Sequence, residues 1–193
     1  MMQNQMIGEE RIELHTERMI LVAATPDHLR AEIESPLKLG SLLDADVPAD
    51  WPPGEYDPHA REFFLDRMVR SGAPAAGWYV WYAVRRASAG VRASLLGAGG
   101  FLGPPNAEGE VEIGYSMSRA WMGQGYTREM VRGLASRALS DPRVTRILAH
   151  TSEENSPSRS ILEGTGFRVA GAGTAPGNIR YEMCRDSREG TSG

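Results

Sequence analysis

Gly109-Glu110-Val111-Glu112-Ile113-Gly114-Tyr115-Ser116-Met117-Ser118-Arg119-Ala120-Trp121-Met122-Gly123-Gln124-Gly125-Tyr126-Thr127-Arg128-Glu129 is the stretch on which the fold turns. From Gly109 to Met117 apolar and polar residues alternate, the period-2 signature of a strand. Glu110 and Glu112, two apart, share one face of it. Beyond the glycines, Gly125 to Leu139 carries Met130, Val131, Leu134, Ala135 and Ala138 on one side, which predicts an amphipathic helix. Val144 to Ala149 then reads as a short strand. A strand–helix–strand unit of this length requires a parallel crossover.

Working outward, Arg18 to Ala23 predicts a first strand. Thr25-Pro26 starts a helix running to about Ile33, with Thr as the cap and Pro at the first helical position. A short apolar segment, Leu37 to Leu43, leads into Pro-rich Val47 to Gly54. Asp57-Pro58 repeats the cap signal ahead of an apolar stripe at Phe63, Phe64, Met68 and Val69. Trp78 to Arg85 and Ser94 to Leu102 are strands, and with Gly109 to Met117 they make three in succession, an antiparallel meander. Downstream, Ser156-Pro157 opens a helix that Gly166 ends, and Phe167 to Ala170 pairs with Ile179 to Cys184. The order predicts a mixed sheet with helices on both faces.

The 193 residues have room for one domain with a substantial core. A hydrophobic share of 41% with 24% charged residues excludes a disordered chain. The expected division is one domain over 11–185 between loose ends, 1–10 and 186–193. A net charge of −4 offers no overall attraction to nucleic acid or anionic lipid, so neither is an expected partner. Cys184 stands alone, which excludes an internal disulfide and a Cys-based zinc site. His15, His28, His59 and His150 lack metal-ligand spacing, and no metal is expected. No apolar run approaches the ~18 residues of a membrane span, and Met1 to Glu10 lacks a signal-peptide pattern, so a cytoplasmic protein is expected.

Chemistry enters at the loop. A helix N-terminus leaves backbone N–H groups unpaired and carries partial positive charge. Glycines let the chain turn sharply and let a phosphate approach those donors. The spacing matches neither the Rossmann fingerprint nor a Walker A loop, and a Gly-x-Gly turn alone is ordinary.

Four segments together are more specific. Leu14 to Leu21, Val111 to Met117, Gly123 to Glu129, and Glu154 to Phe167 with its Asn155, Ser158 and Gly166, resemble in order the motifs of the GCN5-related N-acetyltransferases (GNAT superfamily). The similarity is strongest to the branch that includes ribosomal-protein N-terminal acetyltransferases, and it covers most of residues 14 to 185. Ala120 stands where the superfamily loop motif usually begins with Gln or Arg, Ser118-Arg119 replaces an Asp-Pro, and Gly164 replaces a common Lys.

The resemblance implies a mixed α/β fold with a central, mostly antiparallel sheet of six to seven strands, one parallel splayed pair, and helices on both faces. It implies acetyl-CoA as cosubstrate, no metal, a primary amine as acceptor (a protein N-terminus or a small molecule), direct transfer in a ternary complex, and an acceptor groove that two subunits of a homodimer can share. The cofactor would meet backbone near Met117, the loop Met122, Gly123, Gln124, Gly125, Tyr126 and Thr127, and the Asn155 amide. Ser156 is the expected helix cap, which leaves Asn155 partly free for binding. Ser158 would donate to the departing sulfur.

Glu112 is the implied base, its pKa raised against an apolar sheet, although a surface or substrate-orienting carboxylate, or a water chain with no single base, fits as well. Glu129 reads as a helix-dipole residue, Tyr115 and Tyr126 as packing residues and His150 as a satisfied histidine. Trp51, Tyr56, Phe63, Trp78, Tyr79, Trp81 and Tyr82 read as core, or as walls of an acceptor pocket. The alternative function is a non-catalytic acyl-CoA-binding module.

Overall fold

The computed structural model describes residues 11–54 and 56–185; the ends expected to be loose, 1–10 and 186–193, lie outside the described residues. The described helices are α1 (Pro26–Glu34), α2 (Pro36–Leu43), α3 (Pro58–Ser71), α4 (Tyr126–Ser140) and α5 (Ser156–Thr165). The strands are β1 (Glu13–His15), β2 (Met19–Ala23), β3 (Val80–Arg85), β4 (Ser94–Phe101), β5 (Glu110–Met117), β6 (Arg146–Ser152), β7 (Arg168–Ala172) and β8 (Asn178–Cys184). They form one sheet in the order β1-β2-β3-β4-β5-β6-β8-β7. Among the described strands only β5 and β6 pair in parallel, as the crossover through α4 demands.

The sheet has eight strands rather than six or seven. Arg18 to Ala23 was expected as one strand, but a further one, β1, folds back on β2 across Thr16 to Arg18. The Thr16 main chain and hydroxyl both donate to the Met19 carbonyl, each at 3.0 Å, closing the turn. Leu37 to Leu43 is helical because Ser35 caps its start by accepting from the Leu37 N–H at 3.3 Å, with Pro36 at the first position.

Two cores flank the sheet. On one face Met130, Val131, Leu134, Ala135 and Ala138 of α4, the five residues expected there, pack on Val111, Ile113 and Met117 of β5 and on Ile147 and Ala149 of β6. On the other face Leu29, Leu39, Leu43 and Met68 of α1 to α3 pack on Val22, Tyr82, Leu95 and Ala98. The stripe expected on α3 is only half buried, since Phe63 and Val69 are exposed while Met68 is covered.

The second core encloses a carboxylate. Glu32 of α1 is fully buried and accepts from Trp51 Nε1 (2.8 Å), Tyr56 OH (2.9 Å) and Tyr82 OH (2.6 Å). Burial pushes its carboxyl above the ordinary range, and the three donors oppose that push. The arrangement ties α1 to the Pro-rich segment and to β3, and it fixes the Tyr56 ring.

Candidate active site

Four helices begin closed and one begins open. Thr25, Ser35, Asp57 and Asn155 each place a side-chain oxygen on a first-turn N–H, and each is followed by Pro at the first or second helical position. Helix α4 has neither device: its cap position is Gly125, at φ 82°, with no side-chain acceptor. Gly123 also has positive φ, at 72°, so the loop doubles back through two conformations that favour glycine. The backbone donors of the first turn of α4 therefore have no side-chain acceptor at the cap.

The loop is braced by Arg18, expected as the first residue of a strand but lying in the turn just before β2. Its Nη1 donates to the Gln124 carbonyl at 2.9 Å, and its guanidinium lies 4.2 Å from the centre of the Tyr126 ring. Its main-chain N–H and its Nε donate to Glu129 at 2.8 and 2.7 Å. Burial raises the Glu129 carboxyl, but the hydrogen bonds and charge of Arg18 outweigh it and hold the group below the ordinary range. Gln124 turns its amide back onto the Ala120 carbonyl at 2.8 Å, while Met122 points outward, exposed. Tyr126 packs edge-on to Trp121, a structural role as expected, and Thr127 is half-buried in the first turn of α4.

Strands β5 and β6 pair over only three residues, Glu110 with Arg146, Val111 with Ile147 and Glu112 with Leu148. Beyond them, among the described residues, Ile113 to Met117 pairs with β4 alone and Ala149 to Ser152 with β8 alone. The two strands thus separate immediately after Glu112. The Met117 side chain belongs to the core, so only its main chain can serve a ligand in the gap.

Two side-chain pairs flank the point of separation, on opposite faces of β5. On the α4–α5 side, Tyr115 OH lies 2.9 Å from Ser158 Oγ, and burial pushes the Tyr115 hydroxyl up. Asn155, not Ser156, caps α5: its Oδ1 accepts from the Ser158 N–H at 3.1 Å, because Pro157 at the second helical position leaves Ser158 as the reachable donor. The amide N–H groups of Asn155 therefore remain for a ligand, along with one lone pair of Oδ1.

On the other face, Glu112 Oε1 lies 3.0 Å from His150 Nδ1. Glu112 is 37% exposed at its side chain, so it is not pressed against an apolar sheet as expected. His150 is only half satisfied: its side chain is 10% exposed, and Nε2 is buried with no partner among the described residues. An Nδ1–H donating to Glu112 leaves Nε2 without a hydrogen, the tautomer that suits a ring nitrogen lacking an acceptor. Glu110, on the same face, is engaged elsewhere, 2.8 Å from Arg146. Neither the Glu112–His150 pair, 38 positions apart, nor Tyr115–Ser158, 43 apart, has a local signal in the chain.

A cavity of about 280 Å³ lies on the Glu112 face, between α3 and β4–β5. Tyr56, Phe63 and Tyr79 line it, whereas Trp78 and Trp81 lie in the core under α4.

The open loop and the split pair belong to a mixed α/β fold, and sequence comparison gives its family. Residues 18–168 match the family model described as acetyltransferase (GNAT) domain, and the chain belongs to that family of acyltransferases. An uncharacterized N-acetyltransferase of Bacillus subtilis (strain 168), YjdG, is 29% identical over 125 residues, 65% of this chain and 71% of that protein. Among solved structures, RimL, a ribosomal L7/L12 alpha-N-protein acetyltransferase in complex with coenzyme A, superposes with a TM-score of 0.64 at 16% identity, covering 91% of this chain and 99% of that one. A ribosomal-protein-S5-alanine acetyltransferase from Vibrio fischeri gives 0.63 at 15% identity, covering 91% and 98%. These likenesses establish the mixed α/β fold. Among the described residues, no helix is long and apolar enough to cross a membrane.

Proposed function

We propose that this acyltransferase moves an acetyl group from acetyl-CoA directly to a primary amine, with both substrates bound at once. The observation that carries the reading is the position of the two side-chain pairs, one on each face of β5 where it leaves β6. A thioester lying in the gap would have a hydrogen-bond donor on one side and a proton acceptor on the other.

The site fits acetyl-CoA on two features of this chain. The uncapped start of α4 offers backbone donors to a pyrophosphate, and the unpaired edge of β5 offers main-chain groups to the amides of an extended pantetheine. Bound there, acetyl-CoA supplies an acyl group already activated as a thioester. Met122, Gly123, Gln124, Gly125, Tyr126 and Thr127 would hold the phosphates, the Met117 main chain and the Asn155 amide the pantetheine. Glu112, the more exposed of its pair, takes the proton that the amine must lose, while His150 Nδ1 holds the carboxylate in place. Ser158, hydrogen-bonded to Tyr115, donates a hydrogen bond to the departing sulfur, which leaves as the thiolate while the amine's proton goes to Glu112 on the opposite face.

The test is thiol release from acetyl-CoA with a panel of primary amines. Glu112→Gln is expected to lower kcat/KM by about 100-fold, the scale of a lost general base, with CoA-dependent thermal protection intact. Protection without turnover on any amine would instead identify a binding module, and absence of protection would remove the cofactor assignment.

A further inference from the structure

We infer that the acceptor is a primary amine on an apolar, uncharged body: an arylalkyl or alkyl amine, or a peptide N-terminus led by an apolar residue. The inference rests on amine acetylation as proposed above and names the substrate class for that site.

The cavity beside β5 is lined mainly by apolar surface. Phe63, Phe64, Phe101 and Leu102 line it together with the rings of Tyr56 and Tyr79 and with Ser116, and among the described residues no charged one lines it. The two tyrosine hydroxyls are already engaged, Tyr56 with Glu32 at 2.9 Å and Tyr79 with Ser71 Oγ at 2.7 Å. Their polar ends are thus turned to the protein and their rings to the cavity. At its edge Phe63 and Leu102 are left 44% and 47% exposed, apolar surface that a ligand would remove from water.

The floor leads to the proposed base. Gly114 lines the cavity, and a Cβ built there meets nothing within 4 Å. Glu112 and Gly114 share a face of β5, about 7 Å apart along an extended strand. An amine nitrogen at Glu112 therefore lays its first carbons over Gly114 and its body among the aromatic rings. A charged body would be buried there without a partner, which is strongly unfavourable. The volume suits one ring on a short tether.

Substrate preference tests this. 2-Phenylethylamine should exceed 1,3-diaminopropane and β-alanine in kcat/KM by at least roughly tenfold, one decade per 1.4 kcal/mol of differential binding. A Phe-led against an Asp-led tetrapeptide forms the second arm, and the ratio between the two arms tells a small amine from a chain N-terminus. Gly114→Leu fills the floor without an unfavourable backbone angle, and it should raise KM for 2-phenylethylamine about tenfold with CoA protection unchanged. Phe63→Ala, at an exposed position, should raise the same KM several-fold. Equal or faster rates on the charged amines and the Asp-led peptide, or wild-type KM in both variants, overturn the inference. Calorimetry of N-acetyl-2-phenylethylamine with the CoA-loaded protein reads the cavity apart from chemistry. Absent binding there overturns the inference on its own, while binding without turnover upholds it and sinks the transfer reading.

Discussion

The starts of α4 and α5 solve one problem in opposite ways. Both helices begin beside the gap between β5 and β6, and both have first-turn N–H groups with no partner inside the helix. At α5, Asn155 accepts from Ser158 and Pro157 removes another donor, so the turn is closed and the Ser158 hydroxyl is held against Tyr115. At α4, Gly125 supplies no acceptor, and the bracing comes from behind, through Arg18 on Gln124, Tyr126 and Glu129. A closed turn fixes a side chain. An open one keeps backbone donors for a ligand, and its order must then come from a distant residue.

Installing the α5 device at α4 is the most severe way to break this contrast. Gly125→Asp puts a carboxylate among the free donors and is expected to weaken CoA binding on the order of 100-fold; unchanged affinity by calorimetry would mean that the donors do not meet phosphate. Ser158→Ala comes next, removing the hydroxyl but not the cap. It should lower kcat roughly tenfold, one donor lost while Tyr115 stays, with CoA affinity as in wild type. Opening α5 by Asn155→Ala should cost about 1 kcal/mol, a fall in Tm of roughly 2–4 °C. Asn155→Asp keeps the accepting oxygen and the Tm, so any loss of CoA affinity in it belongs to the amide donors.

The smallest effect concerns the brace. The Arg18–Glu129 pair is partly exposed, and Glu129→Gln should cost about 0.2–1 kcal/mol at pH 7. The folded carboxyl lies below its unfolded value of about 4.3, so this stability is complete above that pH and disappears as pH falls through the folded value. Melting curves of variant and wild type should therefore converge in acid.

Much of this was legible along the chain, because local physics decides it. The five buried residues of α4, the caps at Thr25 and Asp57, the end of α5 at Gly166 and the parallel crossover follow from period, cap chemistry and connection length. A three-residue strand such as β1 is too short to show a period, and the expected first strand began only at Arg18. Asn155 and Ser156 are both good caps, and only the geometry at Pro157 separates them. The brace, the Glu112–His150 pair and the fixing of Tyr56 by Glu32 join residues far apart in sequence, which no pattern along one chain reports. Gly164, a helix-weakening residue in sequence terms, leaves room for the Arg128 guanidinium, whose Nη2 would lie 3.0 Å from an added Cβ.

The three-residue pairing of β5 with β6 also bears on how the sheet opens. It is the only main-chain ladder between a five-strand block and a three-strand block among the described residues. Amides of Ile113 to Met117 that face the gap lack a ladder partner and should exchange with deuterium as those of an edge strand do. A pantetheine laid along them acts as a removable strand. Its arrival should slow exchange on both sides of the gap together, turning two blocks that open separately into one that opens as a whole.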